Sequence, residues 1–530
     1  MKCNQLCTFL FFALILSISV SSLSAQSNEQ LYLESADILR NVTNEDGTVV
    51  RKLTGNVHFR RGEVDLFCTD AVSIQDQNLS KLWGNVRVYG EQDTLYSDTL
   101  YAFSEGDTLL AKGNARLISE DRILTSDRIR YIPDLDIAQA VGQVRMVGEQ
   151  RTITADSVWY QTEERQAEIF GTEENPAMVY DEENLIRISG PVISQNLDTE
   201  ILRAIERPIL TKLDSSGEET VEIISNTLTT EPHSGQYIAQ ENVIITRDSM
   251  RAETNLATLF ENDDFAILEE SPVVYYTDNT IRGEKIHLYF EGDKLEQVYI
   301  PNEADLHSIA RGFIQRPLTA FTADTSLAAP SDTVYNNSAA YGLEPIENEN
   351  VLRGKELTIW IEDNHIDKIL VSGMAQSTYH VYEDSIYQGI NETSGDTIKL
   401  AFAAPSDSLQ QIDVIGGTIG NFKPHASNTS VDTTVFYEAN HLVFQVPDRI
   451  TKLQYEANAK YQDMTLDAAF INVLWKENLL IATPLPDSAD TTQYQSNTPT
   501  FTQSGREPMT GERLEYNLDT RQGEGTYGKT

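Results

Sequence analysis

Four aspartates recur at nearly equal steps along the first third of the chain: Asp70, Asp98, Asp127 and Asp156. A ladder of carboxylates can hold calcium, which takes about six to eight oxygen ligands. Calcium-binding rolls, however, place several Asp and Gly in each turn of about nine residues, and here one Asp falls in each 29. These carboxylates are therefore expected to cap backbone donors at a turn. A second ladder is cationic, because His58, Arg87, Arg116 and Arg145 repeat at the same 29-residue step. Charges one strand spacing apart, about 4.8 Å, would repel. Either acidic neighbours on the next strand offset them or the phosphates or carboxylates of a ligand sit over them, and planar, bidentate Arg suits the latter.

The other reactive residues point away from catalysis. The histidines at 58, 233, 287, 307, 365, 380, 425 and 441 form no His-x-His or His-x-x-x-His pair, so neither metal nor cofactor is expected. No Gly-x-Ser-x-Gly elbow, Walker loop or dinucleotide fingerprint is present, and the chain reads as a non-enzyme. With 81 acidic against 40 basic residues and a net charge of −41, it is not expected to bind nucleic acid or an anionic membrane surface.

Lys2, the apolar run from Phe9 to Val20 and the small residues before Ala25 read as a secretory signal peptide over 1–25, so the chain is expected to be exported. Cys3 and Cys7 leave with it, and Cys68 stays alone without an intrachain disulfide. No later apolar stretch reaches the length of a membrane-spanning helix.

The elements that position the ladders follow from a repeat. Gly55, Gly84, Gly113, Gly142 and Gly171 are 29 residues apart, opening Gly55-Asn56-Val57, Gly84-Asn85-Val86, Gly113-Asn114-Ala115 and Gly142-Gln143-Val144. After each glycine the pairs Val57/Phe59, Val86/Val88, Ala115/Leu117 and Val144/Met146 share one side of a strand. Around the aspartates, Phe67, Leu95, Leu124 and Ile153 lie three before, and Val72, Leu100, Ile129 and Val158 two after. Inward parity changes across the Asp, which predicts a bend or bulge. The whole reads as all-β, an elongated β-jelly roll or solenoid of stacked 29-residue units. Candidate groove residues are Val57, Phe59, Val86, Val88, Ala115, Leu117, Val144, Met146, Leu95, Leu100, Leu124, Ile129, Ile153 and Val158. They line either a dry core or a channel for acyl chains.

Glu241-Asn242-Val243 and Glu270-Ser271-Pro272-Val273 occupy the glycine slot further on, and a second version of the unit follows Gly283, Gly354 and Gly395. The expected organisation is repeats over 26–300, a loop or linker over 301–350, a degenerate repeat region over 351–481, a linker over 482–508, and a further repeat or lead-in to a barrel over 509–530.

The in-register units Leu53-Thr54-Gly55-Asn56-Val57, Trp83-Gly84-Asn85-Val86 and Ala111-Lys112-Gly113-Asn114-Ala115, with Thr125-Ser126-Asp127-Arg128-Ile129 and Thr154-Ala155-Asp156-Ser157-Val158, resemble the organic-solvent-tolerance (OstA) family. That family includes the periplasmic lipopolysaccharide-transport protein and the N-terminal domain of the outer-membrane lipopolysaccharide-assembly protein. The resemblance covers residues 31–171 well, 236–300 fairly and the part after 350 weakly. It implies a V-shaped β-jelly roll whose groove shields the acyl chains of lipopolysaccharide or a similar glycolipid. It also implies residence in the periplasm beside the outer membrane and end-to-end joining with other OstA-fold proteins. Tyr461-Gln462-Asp463-Met464 and Glu512-Arg513-Leu514-Glu515-Tyr516 resemble the segment leading into the assembly protein's barrel. An outer-membrane β-barrel, fused or separate, is accordingly expected as partner. The competing expectation is a structural or adhesive β-solenoid with no lipid ligand. A photo-crosslinker at Val86, Leu117 or Met146 separates the two.

Overall fold

The structure, a computed structural model, describes residues 32–526 apart from 44–46, 62, 75–78, 91–92, 104–107, 120–121, 133–136, 149–150, 162–163, 197, 232–233, 261–262, 293, 318–340, 427, 429–430, 486–497, 519 and 521. The signal peptide expected at 1–25 and His233 lie outside the described residues. The fold is all-β, as the alternation of β-branched and polar residues predicts. It divides into two compact units, Met1–Asp248 with Glu253–Asp263, and Ser249–Ala252 with Asp264–Thr530.

The first unit opens with β1 (Tyr32–Ser35) and β2 (Ile38–Thr43), which both pair with β3 (Val49–Arg61). An antiparallel meander continues through β4 (Val64–Ile74), β5 (Leu79–Tyr89), β6 (Asp93–Phe103), β7 (Leu109–Ser119), β8 (Arg122–Ile132), β9 (Ile137–Val147) and β10 (Arg151–Gln161). One 29-residue repeat is therefore a hairpin of two long strands, each bent at its middle.

Beyond β10 the two halves of the bent strand become separate strands. β10 pairs through Ser157–Gln161 with β11 (Gln166–Phe170) and through Arg151–Thr154 with β12 (Ala177–Asp181). The chain then alternates between two ladders through β13 (Ile186–Gly190), β14 (Val192–Asn196), β15 (Leu202–Ile205), β16 (Ile209–Leu213), β17 (Glu219–Ile224) and β18 (Thr227–Glu231). Both ladders rejoin on β19 (Gln236–Arg247). Gly171 stands where the regime changes. It has no positive φ, and a Cβ there would lie 1.9 Å from the Ala177 nitrogen, so glycine is required by crowding, unlike its four predecessors.

β20 (Met250–Phe260) carries residues of both units. The second unit continues with β21 (Phe265–Glu269), β22 (Val273–Tyr276), β23 (Asn279–Arg282), β24 (Lys285–Glu291), β25 (Lys294–Ile300), β26 (Ala304–Pro317), β27 (Tyr341–Gly354) and β28 (Glu356–Glu362). Long bent strands then return as β29 (His365–Glu383), β30 (Ile386–Ala403), β31 (Ser408–Pro424), β32 (Val435–Gln445), β33 (Ile450–Tyr461) and β34 (Met464–Leu474). The series ends with β35 (Leu479–Thr483), β36 (Thr500–Gln503), β37 (Met509–Thr510), β38 (Arg513–Asn517) and β39 (Gln522–Thr526).

Two stretches read as linkers carry strands instead. Within 301–350, β26 and β27 pair in unbroken register from Ala304↔Gly354 to Pro317↔Tyr341. Their composition hid them because backbone pairing and ion pairs hold these largely exposed strands. Arg311 bridges Asp278 at 2.6 Å and Glu347 at 2.9 Å, and Arg353 meets Asp305 at 3.2 Å. The 482–508 stretch holds β36, and its residues 486–497 lie outside the described ones.

Candidate functional site

The bend in each long strand is built from the glycine triplet. Gly55-Asn56, Gly84-Asn85, Gly113-Asn114 and Gly142-Gln143 all have positive φ, from +45° to +84°. In each case two residues oppose one on the next strand, a bulge that reverses which parity faces inward. On β10, Ile153 and Ala155 are buried before Asp156, and Val158 and Tyr160 after it. The aspartates pack where the glycines have no side chain, since a Cβ at Gly113 would lie 2.5 Å from Asp98 Oδ2 and one at Gly142 would lie 2.2 Å from Asp127 Oδ2. Asn114 Nδ2 donates to Asp98 Oδ2 at 2.9 Å, and Asn56 Nδ2 to Asp37 Oδ2 at 3.0 Å. The carboxylates thus lock neighbouring corners together.

The corner position is 69, 98, 127 and 156, so its first member is Thr69 rather than Asp70; Thr69 Oγ1 donates to the Gly84 carbonyl at 3.0 Å. That one-residue slip turns the assigned faces over. Phe67 is 36% exposed and Val72 half-buried, whereas Leu66 and Ala71 fill the core. In the second unit the sequence pattern starts its units at Gly283, Gly354 and Gly395, but the positive-φ pairs at the strand bulges are Gly373-Met374, Gly416-Gly417 and Tyr455-Glu456. Gly354 and Gly395 instead lie against Val371 and Val414, which leave no room for a Cβ. The Glu241-Asn242 and Glu270-Ser271 pairs do adopt positive φ, as their place in the glycine slot implied.

Of the fourteen groove candidates, Val57, Phe59, Val86, Ala115, Leu117, Val144, Leu100, Leu124, Ile129, Ile153 and Val158 are at most 6% exposed. Two rows run unbroken across the strands. One passes Leu82, Leu100, Ala111, Ile129, Ala140 and Val158, with an alanine on each side of Ile129. The other passes Val88, Leu95, Leu117, Leu124, Met146 and Ile153. Only Val88, Leu95 and Met146 of the fourteen keep accessible surface, all in the second row. Cys68, level with Val57, is a core thiol whose pKa burial pushes up to about 12.

The cation ladder is spaced differently from the expectation. His58 is level with Phe67 and Phe67 with Arg87; then follow Tyr96, Arg116, Thr125 and Arg145. An uncharged residue separates each pair of cations, and their spacing is two strand spacings, roughly 9.6 Å, so they need no offsetting charge. His58 has a carboxylate partner, Asp65 at 2.7 Å, and its ring stacks on Phe67 at 4.3 Å. Arg60 and His58 together hold the Asp65 carboxyl below its usual range.

An open apolar interior lies in the second unit, away from the fourteen groove candidates. A cavity of about 280 Å³ opens between the two halves of the bent strands. One wall is the row Ile412, Phe444, Thr451, Val473, Leu480 and Tyr516. The other is formed by Thr393, Tyr437, Ala459, Leu466 and Phe501. Gly420 lets the Tyr437 ring lie across its backbone, since a Cβ there would sit 2.4 Å from the phenol. The phenol oxygen is 2.5 Å from Thr393 Oγ1 and donates to Asn391 Oδ1 at 2.8 Å. Burial raises the Tyr437 pKa against those two hydrogen bonds, and the phenol stays neutral. Trp475 lines the same space and donates from Nε1 to Thr451 Oγ1 at 2.8 Å. The arrangement offers an apolar, aromatic-walled volume with a few fixed polar groups and no charged cluster suited to a metal among the described residues. No sequence signal marked it, because the wall residues come from eight strands and share only register.

Residues 28–175 match the family described as OstA-like protein. No curated protein matches the chain. Among solved structures, one similar chain is the crystal structure of LptH, the LptA homologous periplasmic component of the conserved lipopolysaccharide transport device from Pseudomonas aeruginosa. It is 14% identical, with a TM-score of 0.19, over 21% of this chain and 82% of LptH.

Proposed function

With residues 28–175 OstA-like in sequence, we propose that this chain is an exported, non-enzymatic carrier of lipopolysaccharide or a similar glycolipid, acting in the periplasm beside the outer membrane. The observation that carries this reading is the cavity of about 280 Å³ in the second unit, whose walls are apolar and aromatic. Acyl chains would enter it, gaining roughly 0.8 kcal/mol per buried methylene. The first unit's rows serve mainly as a dry scaffold, with Val88, Leu95 and Met146 as the positions from which a groove would open. End-to-end pairing with other OstA-fold proteins and transfer to an outer-membrane β-barrel assembly protein belong to the same proposal.

Photo-crosslinking tests it. Val86 and Leu117, at 1% and 4% exposure, are too buried to report on a ligand. Benzoylphenylalanine at Phe444 and Phe501 is expected to crosslink lipopolysaccharide, and at Val88, Leu95 and Met146 to do so more weakly. A folded protein that crosslinks at none of the five sites would instead be a structural solenoid.

A further inference from the structure

The outer face of β5–β9 is chemically unlike the rest of this acidic chain. Among the described side chains, these five strands hold two carboxylates, Asp98 and Asp127, both at the strand corners. Asp98 is already taken by Asn114, and Asp127 lies against Gly142. Along the outward row Arg87, Tyr96, Arg116, Thr125 and Arg145, all three guanidinium-bearing residues are exposed, and none forms an ion pair among the described residues. The adjoining row, Tyr89, Thr94, Ile118, Ile123 and Val147, is uncharged. A chain of net charge −41 thus keeps a strip where an anion meets three planar cations and, among the described side chains of these two rows, no carboxylate.

We infer that this strip binds an acidic glycan. Each guanidinium presents a flat, two-donor edge suited to a uronate carboxylate or a sugar phosphate. The cations recur at roughly 9.6 Å, close to the repeat of a disaccharide in an extended glycan. Tyr96 lies between Arg87 and Arg116, where its ring offers an apolar face to the intervening pyranose. Thr125, in the next gap, donates to the Arg145 carbonyl at 3.2 Å and leaves that gap small. An acidic peptide would answer the charge but has no use for the aromatic spacer. The glycan reading is independent of acyl binding in the second unit, and a lipid-free probe keeps the two apart.

Calorimetric titration of the full chain with oligogalacturonate tests the inference. The parent is expected to bind it and to ignore an uncharged cello-oligosaccharide. R87Q/R116Q/R145Q should weaken binding at least about tenfold, with circular dichroism unchanged, and the corresponding Lys triple should restore only part of it. Tyr96→Ala should weaken binding about threefold or more with all three cations in place. The inference is overturned if the parent does not bind oligogalacturonate, if the Gln triple binds as the parent does, or if a poly-glutamate peptide binds equally well and is insensitive to Tyr96→Ala.

Discussion

Replacing Gly113 by alanine is expected to destabilise the first unit by roughly 2–4 kcal/mol, among the largest single effects available in it. Two costs add. Its φ of +77° lies in the left-handed region, where a Cβ costs about 1–2 kcal/mol. The new methyl would also sit 2.5 Å from Asp98 Oδ2, forcing the carboxylate off Asn114. Gly217 separates the terms, because its φ is +88° but nothing lies within 4 Å of the place a Cβ would take. Gly217→Ala should therefore cost only about 1–2 kcal/mol. Adding Asp98→Ala to Gly113→Ala should recover about 1 kcal/mol relative to the sum of the single changes. Denaturant unfolding followed by Trp83 and Trp159, in a Trp360→Phe/Trp475→Phe background, reads the first unit alone. Equal costs at Gly113 and Gly217 would refute the interlocked corner.

Plugging the second unit's cavity should remove its ligand without removing the fold. Leu466→Trp and Val473→Trp place indoles from opposite walls into the space of about 280 Å³. An acyl chain denied room for four methylenes loses about 3 kcal/mol, more than a hundredfold in affinity. Binding of a long-chain fatty acid probe should fall accordingly in both variants. Lys52→Trp, on the exposed face of the first unit, should leave it unchanged. Because the two plugs come from different ladders, overpacking that unfolds one leaves the other to decide. Parent-like affinity in a folded plug variant would place the ligand elsewhere.

Much of the scaffold was legible in the sequence, and the reasons it stopped being legible are specific. Gly55, Gly84, Gly113 and Gly142 announce themselves because only glycine tolerates both the positive φ and the crowding at the corner. The change of parity across the Asp likewise announced the bulge. The register failed at one point, where Thr69 does with a hydroxyl what Asp98 and Asp127 do with a carboxylate. Asp70, one residue on, supplies the carboxylate the pattern expects, and a corner read there turns Phe67 and Val72 inward in place of Leu66 and Ala71. Corners built from Tyr455-Glu456 carry no glycine at all, so the second unit's frame was hidden from pattern reading. The β26–β27 hairpin was missed because its strands bury little and look like polar loop. The cavity was beyond reach for a different reason: Ile412, Tyr437, Leu466 and Tyr516 converge only after five separate register choices have been made.

The four tryptophans provide the most direct test of an acyl-binding second unit. Trp475 lines the cavity, whereas the Trp360 ring lies under the Lys368 ammonium, 4.2 Å from its centroid, and does not line it. In a protein retaining only Trp475, a glycolipid or fatty acid brominated along its acyl chain should quench the fluorescence in step with binding, and in a protein retaining only Trp360 it should not. Undiminished Trp475 emission at saturating ligand, or equal quenching of both residues, would contradict the account.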